Sequence, residues 1–202
     1  MKKISKIKIS DKINEEQLNQ AMNIFYSAFK QKIRHLIKSR EKAVAVYKNS
    51  INKDRVFYAL IENDVVGIAG LHYENKNFID IKYSNLRKHF NPLRSFFIYW
   101  IYKIVSPKVK EDAVRIDSIA VKEQFRSAGI GTELINKVLE FAKNKAFKEV
   151  ILEVVNTNPK AKKLYERMGF KEKKHVRYYL LTRPAGFSSE YIMSYAVPHN
   201  HS

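Results

Sequence analysis

Between Ile4 and Ile9, isoleucine alternates with lysine and serine, which predicts a first β-strand. The period then changes. Leu18, Ala21, Met22, Phe25, Ala28 and Phe29 recur at spacings of three and four, the apolar face of a helix. Asn14, with Gln17 three residues on, supplies an N-cap and capping box for it. A second short helix is predicted over residues 31–39. Val56–Ile61 and Val65–Leu71 read as two strands joined by the tight turn Glu62-Asn63-Asp64, hence a hairpin. Val114–Val121 is a strand, and residues 132–145 a helix turning Leu134, Ile135, Val138, Leu139 and Ala142 inward. Val150–Val155 is a strand rich in β-branched residues. Asn158-Pro159 opens a further helix, with proline at its first position and an inner face of Ala161, Leu164, Tyr165 and Met168. His175–Leu181 and Ser189–Ala196 close the chain as strands.

One stretch departs from this rhythm. Residues 73–111 give polar loops and then the aromatic run Phe96–Val105, predicted as a helix. Phe96, Phe97, Tyr99, Trp100, Ile101, Tyr102 and Ile104 make it apolar all round, so it should be buried on several sides. A satellite core is one role for it. A wall over a pocket, a dimer contact or an interfacial membrane helix are others. Strands and helices interleave while the first half is hairpin-like, so the fold class is α/β (α+β) with a mixed sheet. No linker divides the chain. We read one domain over residues 1–198, with an insertion at about 73–111, and a tail at 199–202.

Composition narrows the function. The 202 residues include no cysteine, which removes disulfides, thiolate metal sites and a cysteine nucleophile. The six histidines show no metal spacing, and His199 and His201 fall in the tail, so no metal site is expected. The basic N-terminus has no apolar stretch behind it and the aromatic run is about half a bilayer span, which points to a soluble, cytoplasmic protein without a membrane span. Its state is read as monomer or homodimer. Thirty-eight Lys and Arg against twenty Asp and Glu give a net charge of +18. Such a field attracts anions, whether phosphorylated cofactors, nucleic acid or an acidic membrane surface. It is equally what a lysine-heavy background composition would give.

The chemistry lies in Arg126-Ser127-Ala128-Gly129-Ile130-Gly131-Thr132, between the strand ending at Val121 and the helix from Thr132. Two glycines at a strand-to-helix turn let backbone amides converge on one point, and the helix N-terminus adds orphan N–H groups that favour phosphate. Arg126 adds a cation. A P-loop would need Gly-Lys-Ser/Thr where Gly131-Thr132-Glu133 stands, and a dinucleotide fingerprint would need a small residue at Leu134. Taken alone, the loop fits a tight turn as well as a phosphate cradle.

Twenty-seven residues beyond Gly131 comes a second motif, with Asn158, Ala161, Leu164, Tyr165, Gly169 and Phe170 in the pattern Asn-x-x-Ala-x-x-Leu-Tyr-x-x-x-Gly-Phe. Together with Arg126, Gly129 and Gly131 in the order Arg-x-x-Gly-x-Gly, the chain resembles the GCN5-related N-acetyltransferase superfamily, strongly over about residues 113–182. That resemblance implies a mixed sheet splayed between the strands at 114–121 and 150–155, flanked by helices, with acetyl-CoA as co-substrate in the gap. It implies that the backbones of Ile119 and Val121 pair with the pantetheine arm. It implies further that the amides of Arg126, Ser127, Ala128, Gly129, Ile130, Gly131 and Thr132 hold the pyrophosphate.

Asn158 is a helix N-cap, a pantetheine contact, or both. Tyr165 is the expected catalytic acid, its hydroxyl protonating the leaving thiolate. The structural alternative is a core aromatic whose hydroxyl bonds to backbone. Asp117, a carboxylate inside a strand where Asp is disfavoured, is the candidate base. An ion pair with Arg115 is its structural alternative, and a relay of waters would need no base. Glu153 is a weaker candidate. The expected activity is acetyl transfer from acetyl-CoA to a primary amine by direct attack in a ternary complex, the acceptor being a small molecule or a peptide. The alternative is a nucleic-acid-associated module, or an acetyltransferase acting on aminoacyl-tRNA, with RNA as partner.

Overall fold

A computed structural model describes residues 6–178 and 186–198. Its centre is a seven-stranded sheet in the order β1-β2-β3-β4-β5-β7-β6. The strands are β1 (Ile7–Ser10), β2 (Val56–Ile61), β3 (Asp64–His72), β4 (Ala113–Val121), β5 (Glu149–Val155), β6 (Lys171–Arg177) and β7 (Ser189–Ala196). Every neighbouring pair is antiparallel except β4 and β5, which run parallel through the crossover helix α5 (Ile130–Asn144). The sheet is therefore mixed, and helices cover both faces. On one side lie α1 (Glu15–Ile33), α2 (Arg40–Lys48), α3 (Tyr83–Arg87) and α4 (Pro92–Val105); on the other lie α5 and α6 (Pro159–Arg167).

Alternation in β2 builds both cores at once. Phe57 and Ala59 enter the core with α5, while Val56, Tyr58 and Leu60 enter the core with α1. The capping box at Asn14 forms as the sequence predicts: Asn14 Oδ1 accepts from the Gln17 amide at 2.9 Å, and the Asn14 amide donates to Gln17 Oε1 at 3.0 Å. The hairpin is present, but Asp64 already pairs with Ile61, so the turn is the two residues Glu62 and Asn63.

Several expectations shift. The strand expected from Ile4 is seen from Ile7, and Ile4 lies outside the described residues. The helix expected at 31–39 is instead the end of α1, a turn, and then α2 from Arg40. Ser39 caps α2, its Oγ accepting from the Lys42 amide at 3.2 Å. The strand expected at His175–Leu181 begins earlier, at Lys171; residues 179–181 lie outside the described residues, as do His199 and His201. In the insertion, α4 is not buried on several sides. Ile98 and Ser95 face inward, whereas Leu93, Phe96, Phe97, Trp100 and Ile104 are exposed.

Candidate active site

The site begins where two strands part. β4 and β5 are paired only from Ala113–Glu149 to Ile116–Leu152. Beyond that, β4 continues on β3 as far as Val121 and β5 continues on β7 as far as Val155, so a wedge opens between them. A one-residue bulge marks the parting. Gly70 pairs with Ser118 and Leu71 with Ile116, which leaves Asp117 as the extra residue. The bulge also inverts parity. Val114 and Ile116 before it, and Ile119 and Val121 after it, all pack with α5, while Ala120 joins the core with α1. Simple alternation would put Arg115, Asp117 and Ile119 on one face; the bulge separates Ile119 from the other two.

A cleft of about 250 Å³ occupies the wedge. Asp117, Ile119, Asn158 and Tyr165, four of the residues singled out from sequence, line it together with Glu153. Val121 and Arg126 lie instead along an adjoining groove of about 460 Å³ between α1 and the end of β4. Ser127, Ala128, Gly129, Ile130, Gly131 and Thr132 form the loop and first turn of α5. The Ile130 side chain is buried in the core, so only its backbone is available to a ligand.

Local sequence explains the loop. Glu123–Phe125 makes a single 3-10 turn, then Ser127 at φ +65 and Gly129 at φ +83 take left-handed conformations and α5 starts at Ile130. Gly129 is required by that backbone. Gly131 is not, since it lies in the helix, where a Cβ would meet only Leu164 at 3.6 Å, an ordinary contact. At Gly129 a Cβ would meet nothing within 4 Å. Protein packing thus leaves free space over both glycines. The first amides of α5 (Ile130, Gly131, Thr132) have no intrahelical acceptor by their position and face that space with the helix's partial positive charge. Arg126, largely exposed, stands beside them 4.0 Å from Glu123. This is an anion cradle in form.

α6 presents the other wall. Asn158 caps it, its Oδ1 accepting from the Ala161 amide at 3.3 Å, and Pro159 sets its first turn. Tyr165 is buried on the inner face, against Phe170, and burial pushes its pKa up to about 12. No hydrogen bond joins its hydroxyl to another described residue, and Tyr165 lines the cleft, where solvent or a ligand can meet that hydroxyl.

Charge in the cleft is organised by Arg115. Its Nε donates to Asp117 Oδ1 at 3.1 Å and its Nη1 to Glu153 Oε1 at 2.6 Å. Burial raises the Asp117 pKa to about 6 even though Arg115 pulls it down. The ion pair expected as the structural alternative is therefore present, and the carboxylate is also poised near neutrality.

Three contributors carried no motif. His72, buried opposite Arg115, has its pKa lowered to about 4 by burial and then by Arg115 and Arg55. Its Nδ1 lies 3.8 Å from Asp117 Oδ1, beyond hydrogen-bond reach, and a neutral imidazole makes no ion pair there. Ser118 Oγ is buried in the cleft wall without a partner. Glu190 on β7 lines the cleft and accepts from the Tyr178 hydroxyl. Ala28, Phe29, Gln31 and Lys32 of α1 and Gly186 and Phe187 before β7 also line it. No group of three or more His, Asp or Glu among the described residues could hold a metal ion.

The model of a family described as Acetyltransferase (GNAT) family matches residues 18–170. An uncharacterized N-acetyltransferase of Methanocaldococcus jannaschii is 42% identical over 81 residues, 40% of this chain and 34% of that protein. N-alpha-acetyltransferase 30 of Homo sapiens is 42% identical over 66 residues, 32% of this chain and 18% of that one. The chain thus matches about a third or less of the length of these curated relatives. Among solved structures, a GCN5-related N-acetyltransferase from Kribbella flavida superposes with a TM-score of 0.61 at 16% identity, covering 94% of this chain and 97% of the other. The ribosomal-protein-S18-alanine N-acetyltransferase from Escherichia coli gives a TM-score of 0.56 at 17% identity, covering 98% and 99%. These likenesses are of fold.

Proposed function

We propose that this chain, which belongs to the acetyltransferase (GNAT) family, is an N-acetyltransferase that moves the acetyl group of acetyl-CoA directly onto a primary amine. The observation that carries this is that the wedge brings Tyr165 and Asp117, a carboxyl whose pKa is raised to about 6, to one cleft, while the open-spaced glycine turn lies just beyond it, a Cβ at Gly131 reaching Leu164 beside Tyr165 at 3.6 Å. Acetyl-CoA would supply a thioester whose acyl carbon is open to an amine. The β4 backbone at Ile119 and Val121, unpaired toward β5, suits the amides of the pantetheine arm. The amides of Ser127, Gly129, Ile130, Gly131 and Thr132, with the Arg126 side chain, suit the pyrophosphate; those of Arg126 and Ala128 donate instead to the carbonyls of Glu123 at 3.1 Å and Phe125 at 3.4 Å.

The residue roles follow from charge. An ammonium acceptor has a pKa near 10 and must lose a proton before attack. Asp117, ionised above about pH 6, takes that proton. Attack by the amine lone pair then breaks the C–S bond, whose electrons stay on sulfur. Tyr165, kept protonated by its raised pKa, gives its proton to the thiolate and regains one from the amide nitrogen. Asp117 releases its proton to solvent. Asn158 already spends Oδ1 on the α6 cap, which leaves its Nδ2 for the ligand.

Cationic acceptors suit the cleft: although the whole chain carries +18, Asp117, Glu153 and Glu190 line it against Arg115 and Lys32. The relatives named as N-alpha-acetyltransferases make a polypeptide α-amine one candidate, and no feature of the cleft favours the RNA reading. The test measures melting temperature with and without acetyl-CoA, then CoA release with small amines, peptides and charged tRNA. Stabilisation by acetyl-CoA and turnover with at least one amine are expected. Indifference to millimolar acetyl-CoA would sink the reading.

A further inference from the structure

The outer face of α4 is apolar and is left exposed by the described residues. Leu93, Phe96, Phe97, Trp100 and Ile104 follow a spacing of three, one, three and four, which places them on one helical stripe. They are between 48% and 84% exposed. Ser95, Ile98 and Tyr102 occupy the opposite side, where Tyr102 bonds to the Tyr47 hydroxyl and Ile98 joins the core with α1. Packing among the described residues thus accounts for one side of α4 and not for the other.

Charge selects what could cover it. From residue 81 to residue 110 there are seven Lys and Arg (Lys82, Arg87, Lys88, Arg94, Lys103, Lys108, Lys110) and no Asp or Glu. Arg94 and Lys103 fall on the two edges of the stripe; the Arg94 guanidinium lies over Phe90 at 5.3 Å, and the Lys103 ammonium lies over Tyr99 at 5.6 Å and 3.6 Å from Asp80. An apolar stripe bordered by cations is the pattern of a helix lying in the interface of an anionic bilayer, with the rings at the acyl boundary and the cations among the headgroups. A second copy of this chain would set two cationic borders against each other. RNA would answer the charge but offers no hydrocarbon for Leu93 and Ile104.

We infer that the outer face of α4 docks this protein onto an anionic lipid surface. At 14 residues, α4 is about 21 Å long and lies on such a surface rather than crossing it. Consistent with that, no helix among the described residues is long and apolar enough to span a membrane.

Trp100 is the single tryptophan of the chain, so its emission reports this helix alone. The test mixes the full chain with vesicles of phosphatidylcholine, with or without phosphatidylserine. Only the anionic vesicles should blue-shift Trp100 and shield it from an aqueous quencher. Phe97→Ser with Ile104→Ser, both at exposed positions and so expected to keep the melting temperature, should lower partitioning roughly tenfold or more. A chain this basic adsorbs to anionic vesicles by charge alone. Binding with unshifted Trp100, equal in the double variant, would therefore overturn the inference. So would a lipid-free dimer that the double variant converts to monomer, or an RNA oligonucleotide that shifts Trp100 where vesicles do not.

Discussion

At Asp117 two effects oppose each other: burial raises the carboxyl to about 6, while Arg115 at 3.1 Å favours the ionised form and lowers it. Since only the carboxylate can accept a proton, kcat/KM should rise with pH through about 6 and then level. Asp117→Asn should lower the rate on the order of 10²-fold and abolish that limb. Arg115→Met, by removing the cation, should move the limb to higher pH. A limb that survives unchanged in Asp117→Asn would assign the proton to ordered water and leave Asp117 a partner of Arg115. The same shift has a sign for stability. Because the folded pKa lies above the usual carboxylate value, the contribution from this group is present below about pH 4 and lost as pH rises through 6. At Tyr165 the expected separation is between chemistry and binding. Tyr165→Phe keeps the ring against Phe170 and removes the hydroxyl alone. kcat should fall by roughly 10²-fold with acetyl-CoA affinity almost unchanged, in an assay where chemistry limits the rate. If kcat does not move, the hydroxyl has no part in the reaction.

Among the elements, the turn from β4 into α5 gives a prediction that separates fold from ligand. Gly131→Ala adds a methyl that the protein accommodates and removes backbone freedom from the unfolded chain, so the free protein should gain up to about 1 kcal/mol. The same methyl enters the space proposed for the pyrophosphate, so the rise in melting temperature with acetyl-CoA should shrink. An undiminished rise would place the pyrophosphate elsewhere. Local patterns of this kind are what the sequence carries well. The Asn14 capping box, the β2–β3 hairpin, the inner face of α5 and the Asn158-Pro159 start of α6 are all written in adjacent residues. What it carries poorly depends on distant partners. The bulge at Asp117 exists because β3 skips one residue of β4, and no spacing within β4 announces it. β6 is an exposed, lysine-rich edge strand whose only described pairing is with β7, so it shows no alternation before His175. α2 was displaced because Ile33, Leu36 and Ile37 continue the apolar period of α1, although Ser39 marks the true start. The site divides the same way. Tyr165, Asn158 and the glycine turn are legible from motifs; Ser118 and Glu190 reach the cleft only through sheet pairing, which also sets His72 opposite Arg115.

For the molecule as a whole, the question is how a body carrying +18 would receive the two substrates of opposite sign proposed for it. The long-range field of the body attracts an anionic coenzyme and repels a cationic amine. Close in, Asp117, Glu153 and Glu190 reverse that preference for the amine within the cleft. The two ranges respond differently to salt, because the Debye length is about 10 Å at 0.1 M and screening removes the far field before the near one. Raising ionic strength should therefore increase the KM for acetyl-CoA and, with acetyl-CoA saturating, increase kcat/KM for a multiply charged amine acceptor. A neutral-bodied acceptor with a single amine should respond least. Steady-state rates across a salt series, with each substrate varied in turn, measure both slopes. Opposite slopes mean that the charge of the body acts on encounter while the cleft sets recognition. If salt weakens the cationic acceptor as well, the cleft carboxylates dominate at every distance and the surface charge has no part in selecting the amine.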